Sequence, residues 1–192
     1  MTYRLIPLDE AIVFPATTAT LPIDTAEEDR VFLLPRQSGD FGRITLKAGA
    51  NLQDTCVMHG FPGSDTVVGR HGHIGHGAVL HGCRIGADAM VGMNAVVMDN
   101  AHIGERCIVA ATAFVKTGFT CPPQSLVMGS PAKVTRALSD DEVGWKRRGS
   151  TEYQALARRC LTGLLECVPL AAVERDRPRL HDSGVRPKRP VG

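Results

Sequence analysis

The sequence predicts an all-β protein: a left-handed parallel β-helix of hexapeptide repeats with a C-terminal α-helix packed alongside. The first observation is a period. Val79, Ile85, Val91, Val97, Ile103, Val109 and Val115 stand six residues apart without a break, and Leu46, Leu52 and Met58 do the same upstream. Val68 and Ile74 continue the series after a four-residue insertion around Phe61–Asp65 and before one five-residue step. A period of six fits neither the 3.6-residue helix nor the heptad, but it is the period of a hexapeptide β-helix. The second observation is glycine. All 20 glycines lie from Gly39 onward, several directly after an aliphatic of the series, as in Ile85-Gly86 and Val91-Gly92. The third is that aromatics make up only 5% of the chain, so the core is built from aliphatic side chains.

The elements follow in order. Residues 1–38 contain no glycine and do not read as hexads. Residues 39–136 form the β-helix. Each hexad gives a short strand and a corner, three hexads close one triangular coil, and coils stack at the ~4.8 Å spacing of paired strands. Residues one coil apart therefore lie on one face about 5 Å from each other. Residues 137–168 are helical: Ser139-Asp140-Asp141-Glu142 is a capping box that opens a first helix. Thr151-Glu152-Tyr153-Gln154 starts a second, with Leu156, Leu161, Leu164 and Leu165 on its apolar side. The last segment, 169–192, holds six basic and three acidic side chains with four prolines, too little apolar surface to fold.

Composition narrows the function. Hydrophobic residues at 43% and charged residues at 22% describe a globular domain, and a net charge of +2 is too balanced for a nucleic-acid binder. No run approaches the ~20 apolar residues of a membrane span, and the N-terminus lacks a secretory layout. The six cysteines include no C-x-x-C pair. The expectation is a cytoplasmic protein with reduced, mostly buried thiols and no membrane partner.

The histidines carry the chemistry. His59 follows inward Met58, and His81 comes two residues after Val79, three hexads later. The pair thus shares an edge one coil apart, close enough for both imidazoles to reach one ion at the ~2.0–2.1 Å of a Zn–N bond. His76 belongs to the preceding hexad and sits at a different edge. It completes the set only from a neighbouring chain, which predicts a homotrimer with three interfacial metal sites.

The run NLQDTCVMHG…GHIGHGAVLHGCRIG…VGMNAVVMD…MGSPAKVTR resembles the gamma-class carbonic anhydrase-like family of hexapeptide proteins, and within it the phenylacetate-degradation and carnitine-operon branch. The likeness covers about residues 39–168. It implies a divalent metal, zinc foremost with iron or cobalt as alternatives, on His59, His76 and His81. It also implies that Asn51 and Gln53 line the site and that Asp54 and Asp40 belong to a polar network between subunits. Tyr153 stands where related proteins bring a tyrosine toward the site. The family's Arg-Gly-Asp reads Ser38-Gly39-Asp40 here, so the arginine is absent.

A three-histidine metal leaves a position for water and can polarise a carbonyl. Strong gamma-class carbonic anhydrases move protons with glutamates after the aspartate and in the loop after the first ligand. Here Phe41 follows Asp40 and the Phe61–Asp65 loop has none, which argues against efficient CO2 hydration. The branch implies instead an acyl-CoA thioesterase, acting on a CoA thioester. Carbonic anhydrase is one alternative, and a hexapeptide acyltransferase or a non-catalytic accessory protein of a CoA pathway is another. A transferase needs one histidine as base and no metal.

Overall fold

The computed structural model describes residues 42–163. Residues 1–41 and 164–192, with Asp40, the atypical N-terminal segment and the basic tail, lie outside the described residues. Within them run fourteen short strands and one helix. The first coils hold β1 (Ile44–Leu46), β2 (Asn51–Leu52), β3 (Val57–His59), β4 (Thr66–Val68), β5 (His73–Ile74) and β6 (Val79–His81). The next hold β7 (Arg84–Ile85), β8 (Met90–Val91), β9 (Val96–Val97), β10 (His102–Ile103), β11 (Ile108–Val109) and β12 (Phe114–Val115). β13 (Ser125–Gly129), β14 (Ala132–Ala137) and α1 (Asp140–Gly163) complete the order.

Strands of successive coils pair in parallel, giving three sheets: β1-β4-β7-β10, β2-β5-β8-β11-β13 and β3-β6-β9-β12. We call these the first, second and third faces of a prism of about five coils. β14 turns back antiparallel on β13. The period of six has become the side of a triangle.

The inward rows explain the composition. Val68, Ile74, Leu80, Val91, Val97, Val109 and Val115 are fully buried. Each side chain of this size, buried in full, contributes about 1.5–3 kcal/mol. Two residues before each aliphatic comes a smaller inward residue: Ala78, Cys83, Ala89, Ala95, Ala101, Cys107 and Ala113. Two cysteines, Cys83 and Cys107, therefore serve as small core residues, and Cys56, Cys83, Cys107, Cys121 and Cys160 are all free thiols.

The structure corrects the phase at one point. Leu80, not Val79, faces inward: it is in register with Met58 below and Val97 above. The five-residue step therefore falls between Leu80 and Ile85. Val79 points outward by the alternation of a strand.

Glycine serves the stacking. A Cβ on Gly86 would lie 2.6 Å from the backbone nitrogen of Glu105 in the next coil, so only glycine lets the coils approach at that corner. The left-handed backbone comes two residues later, at Asp88, Asn94 and Asn100 with φ near +55°. Asp and Asn tolerate that conformation better than most side chains.

The helix also departs from the expectation. One continuous α1 replaces the two helices, running through Gly149-Ser150-Thr151. The capping box holds: the Glu142 N–H donates to Ser139 Oγ at 3.3 Å and the Ser139 N–H to Glu142 Oε2 at 3.1 Å. Of the expected leucine stripe only the Leu156 side chain lies among the described residues, and it is not in the contact surface. Leu156 is 37% exposed, whereas Lys146, Ser150 and Ala157 are buried. Lys146 Nζ donates to the His71 carbonyl at 2.6 Å, and Gln154 Nε2 donates to the Gly49 carbonyl at 2.9 Å. These tethers lay α1 along the second face.

Candidate functional site

The site residues gather at two edges that flank the third face. His59 and His81 end β3 and β6 and pair directly in the ladder. Their rings stack with centroids 4.8 Å apart and an interplanar angle of 23°. Thr66 Oγ1 donates to the His59 carbonyl and fixes the corner that follows. Beside both rings stands Phe61, edge-on at 4.7 Å from His59 and 4.8 Å from His81. Phe61 comes from the four-residue insertion, whose loop closes on itself through mutual Phe61–Ser64 backbone hydrogen bonds. The insertion thus walls one side of the imidazole pair.

One coil beyond His81 at the same edge lies Asp99. The His81 Nδ1–H donates to Asp99 Oδ1 at 2.9 Å. That bond sets the ring's orientation and tautomer and leaves Nε2 as the acceptor, the role an orienting carboxylate plays for a ligating or basic histidine. Sequence reasoning missed Asp99, although the eighteen-residue step from His81 pointed to it.

The second edge lies between the second and third faces. There His76 sits one coil above Asp54, with Nδ1 3.8 Å from Asp54 Oδ2 and both side chains about half exposed. The His76 N–H donates to Gln53 Oε1 at 3.2 Å. Gln53 Nε2 donates in turn to His73 Nε2 at 3.2 Å. His73 lies under α1 against Tyr153, with ring centroids 5.3 Å apart. Burial, with Lys146 and His76 nearby, pushes the His73 pKa down to about 4, so the ring is a neutral acceptor. Burial also lowers Lys146 to about 8, against the raising effect of Asp88. Asn51, beside His73 in the ladder, is 3% exposed and both its amide atoms lack a hydrogen-bond partner.

The structure therefore brings together His59 with His81, and His76 with Gln53, Asp54, His73 and Tyr153. It does not bring His76 to the His59–His81 pair. Among the described residues of one chain, no three His, Cys, Asp or Glu side chains converge on a common point. Between the two edges the third face turns out a row of apolar side chains in register: Val57, Val79, Val96 and Phe114. Its ends stay in solvent, Val57 at 51% and Phe114 at 39% exposed. His102 is exposed and His71 accepts from Gln154 Nε2 at 3.0 Å, so both stand outside the cluster. Among the described residues no helix is long and apolar enough to cross a membrane.

Stacked hexapeptide coils with histidines at their corners define a hexapeptide-repeat protein, and residues 82–117 match the family described as bacterial transferase hexapeptide (six repeats). The chain is 51% identical over 187 residues to the carnitine operon protein CaiE of Salmonella agona, covering 96% of this chain and 94% of that protein. It belongs to the CaiE family of hexapeptide-repeat proteins. Two solved structures share the fold. A hexapeptide transferase family protein from Anaplasma phagocytophilum is 36% identical, with a TM-score of 0.54 over 57% of this chain and 64% of that one. A putative acetyltransferase from Bacillus cereus is 31% identical, with a TM-score of 0.63 over 65% of this chain and 72% of that one.

Proposed function

We propose that this protein transfers an acyl group from a CoA thioester, at a histidine-lined cleft between the copies of a homotrimer. The observation that carries the reading is the His81–Asp99 hydrogen bond of 2.9 Å. With Nδ1 engaged, Nε2 takes the proton of an acceptor hydroxyl or amine as its oxygen or nitrogen attacks the thioester carbonyl. The carbon–sulfur bond breaks, and the proton passes from Nε2 to the departing CoA sulfur. This is general base and then general acid catalysis by one histidine. The transferase family match and the acetyltransferase relative support acyl transfer. The name of the CaiE relatives supports a substrate drawn from carnitine metabolism.

Two edges support the assembly. In one chain His76 and the His59–His81 pair lie on opposite sides of the third face, the arrangement that suits a head-to-tail contact between three copies in a ring. That contact covers the apolar row Val57, Val79, Val96 and Phe114.

A second reading, metal-dependent hydrolysis of the thioester, has its own observation. His81 and His76 each carry a carboxylate near Nδ1, Asp99 at 2.9 Å and Asp54 at 3.8 Å. That is the outer partner that ligating histidines need, so the residues fit a three-histidine site. His59 and His81 of one copy with His76 of its neighbour would hold the ion. When bound there, zinc, iron or cobalt supplies Lewis-acid chemistry. Gln53 and Phe61 then border the substrate, one polar and one apolar.

Metal analysis of the purified protein and CoA release from acetyl-CoA and hydroxyphenylacetyl-CoA decide between the two. Acyl transfer requires an added hydroxyl or amine acceptor and survives a chelator. Metal-dependent hydrolysis proceeds without acceptor, needs about one ion per site and stops with chelator. His81→Ala abolishes either. Absence of CoA release from every thioester and acceptor tested overturns both.

A further inference from the structure

Away from the histidine edges, two sulfurs meet near the end of the coils. Cys107 is a fully buried core residue just before β11, and Cys121 follows Thr120, which continues the first face beside His102. Their Sγ atoms are 3.7 Å apart. A disulfide bond measures ~2.05 Å, so side-chain rotation of modest size closes the gap. Both sulfurs are also held in place. The Ser125 N–H points at Cys107 Sγ at 3.4 Å, and the Gly104 N–H at Cys121 Sγ at 3.4 Å. Cys107 Sγ lies 3.1 Å from the Pro122 carbonyl.

We infer that Cys107 and Cys121 form a reversible disulfide when the protein meets a peroxide. Cys121 is partly exposed and Cys107 is not, so the oxidant reaches Cys121 first. Cys121 passes its thiol proton to the Cys107 sulfur beside it and attacks one oxygen of hydrogen peroxide, giving a sulfenic acid and hydroxide. The Cys107 sulfur then attacks the Cys121 sulfur, the S–S bond forms and a second hydroxide leaves. The two thiol protons end in the two waters produced, so two thiols are oxidised and one peroxide is reduced.

The chemistry of the pair agrees with its geometry. The Cys121 S–H and the Ser125 N–H favour a thiolate on Cys107 and outweigh its burial, bringing it to about 7. The same hydrogen bond, with burial, raises Cys121, so Cys107 is the sulfur that receives the Cys121 proton. Cys83 is the contrast: buried in the core, its thiol is pushed up to about 12 and is inert.

The test is peptide mapping of the full chain. Treat it with one equivalent of hydrogen peroxide, block remaining thiols with an alkylating reagent and digest with trypsin. Cleavage after Arg106, Lys116 and Lys133 puts the two cysteines on separate peptides, 107–116 and 117–133. The expected product joins these two peptides, with a mass about 2 Da below their sum, and dithiothreitol releases them. Cys121→Ser loses the cross-link without gaining another. The inference is overturned if both cysteines remain alkylatable, if a different pair forms first, or if Cys121 proceeds to sulfinic acid without a linked product. Since wild-type protein gives the answer, a misfolded variant would not blur it, and neither proposed activity enters the readout.

Discussion

His81 and Asp99 stand one coil apart at the same edge, and a 2.9 Å hydrogen bond joins Nδ1 of the first to Oδ1 of the second. Asp99 touches no substrate in either proposed chemistry and acts through the ring it holds. Asp99→Ala is expected to cut kcat about 10–100-fold, the effect of removing an orienting partner. Asp99→Asn, which keeps a hydrogen-bonding oxygen, recovers part of that loss. Steady-state kinetics of both variants, with far-UV circular dichroism to confirm the fold, provide the check. Equal activity in Asp99→Ala and wild type would remove the orienting role.

Separation of His76 from the His59–His81 pair gives a genetic test of the assembly. His76→Ala and His81→Ala should each be inactive in the metal-dependent reading. Mixed trimers made by co-expression pair the intact His59–His81 of one variant with the intact His76 of the other. About one quarter of the sites in a random mixture are then complete, from the combinatorics of a closed ring. Activity near that fraction in the mixture, and none in the parents, is the expected result. A site contained within one chain would show no recovery.

The apolar row of the third face makes a separate prediction. Val57 is half exposed in one chain, so a charge there costs the isolated fold within about 0.5 kcal/mol. In an assembly the same charge is buried without a partner. Val57→Asp should therefore keep the circular dichroism of the coils yet elute at about one third of the wild-type mass, the change from trimer to monomer. Light scattering on the eluate reads this directly. An unchanged mass would place the interface elsewhere.

His73 predicts how stability depends on acid. Its pKa falls from 6.5 to about 4 in the folded protein, so between those values the unfolded chain binds the proton that the folded one refuses. The contribution is complete above pH 6.5, declines as pH falls toward 4 and is flat below. The gap corresponds to about 3 kcal/mol as an upper figure. Urea unfolding of metal-free protein at pH 7 and pH 4.5 should show the loss, and His73→Asn should reduce the difference between the two.

Most of the fold was legible because six is a period that no other regular structure uses. What failed was local. Val79 and Leu80 are both aliphatic, and counting back from Val97 in sixes lands on Val79. Only the ladder with Met58 and Val97 shows Leu80 inside. The expected second start at Thr151 did not occur, since Lys146 and Gln154 tie one continuous helix to the coils on either side of it. That outweighs the ~1 kcal/mol cost of a helical glycine. At the site, His59 and His81 obey the period and were readable, and so was Asp99 had the eighteen-residue step been followed upward. Phe61 was not, because an insertion has no phase.

The stack ends in a strand that runs the wrong way. A parallel ladder is a template, and the last rung of such a prism offers unpaired amides to any chain that continues it. β14 doubles back antiparallel over β13, touches β12 and presents Lys133 and Arg136 at the surface. The end of the second face is thereby covered by a reversed strand carrying positive charge. A second copy cannot simply continue the parallel ladder there, and the charges oppose its approach.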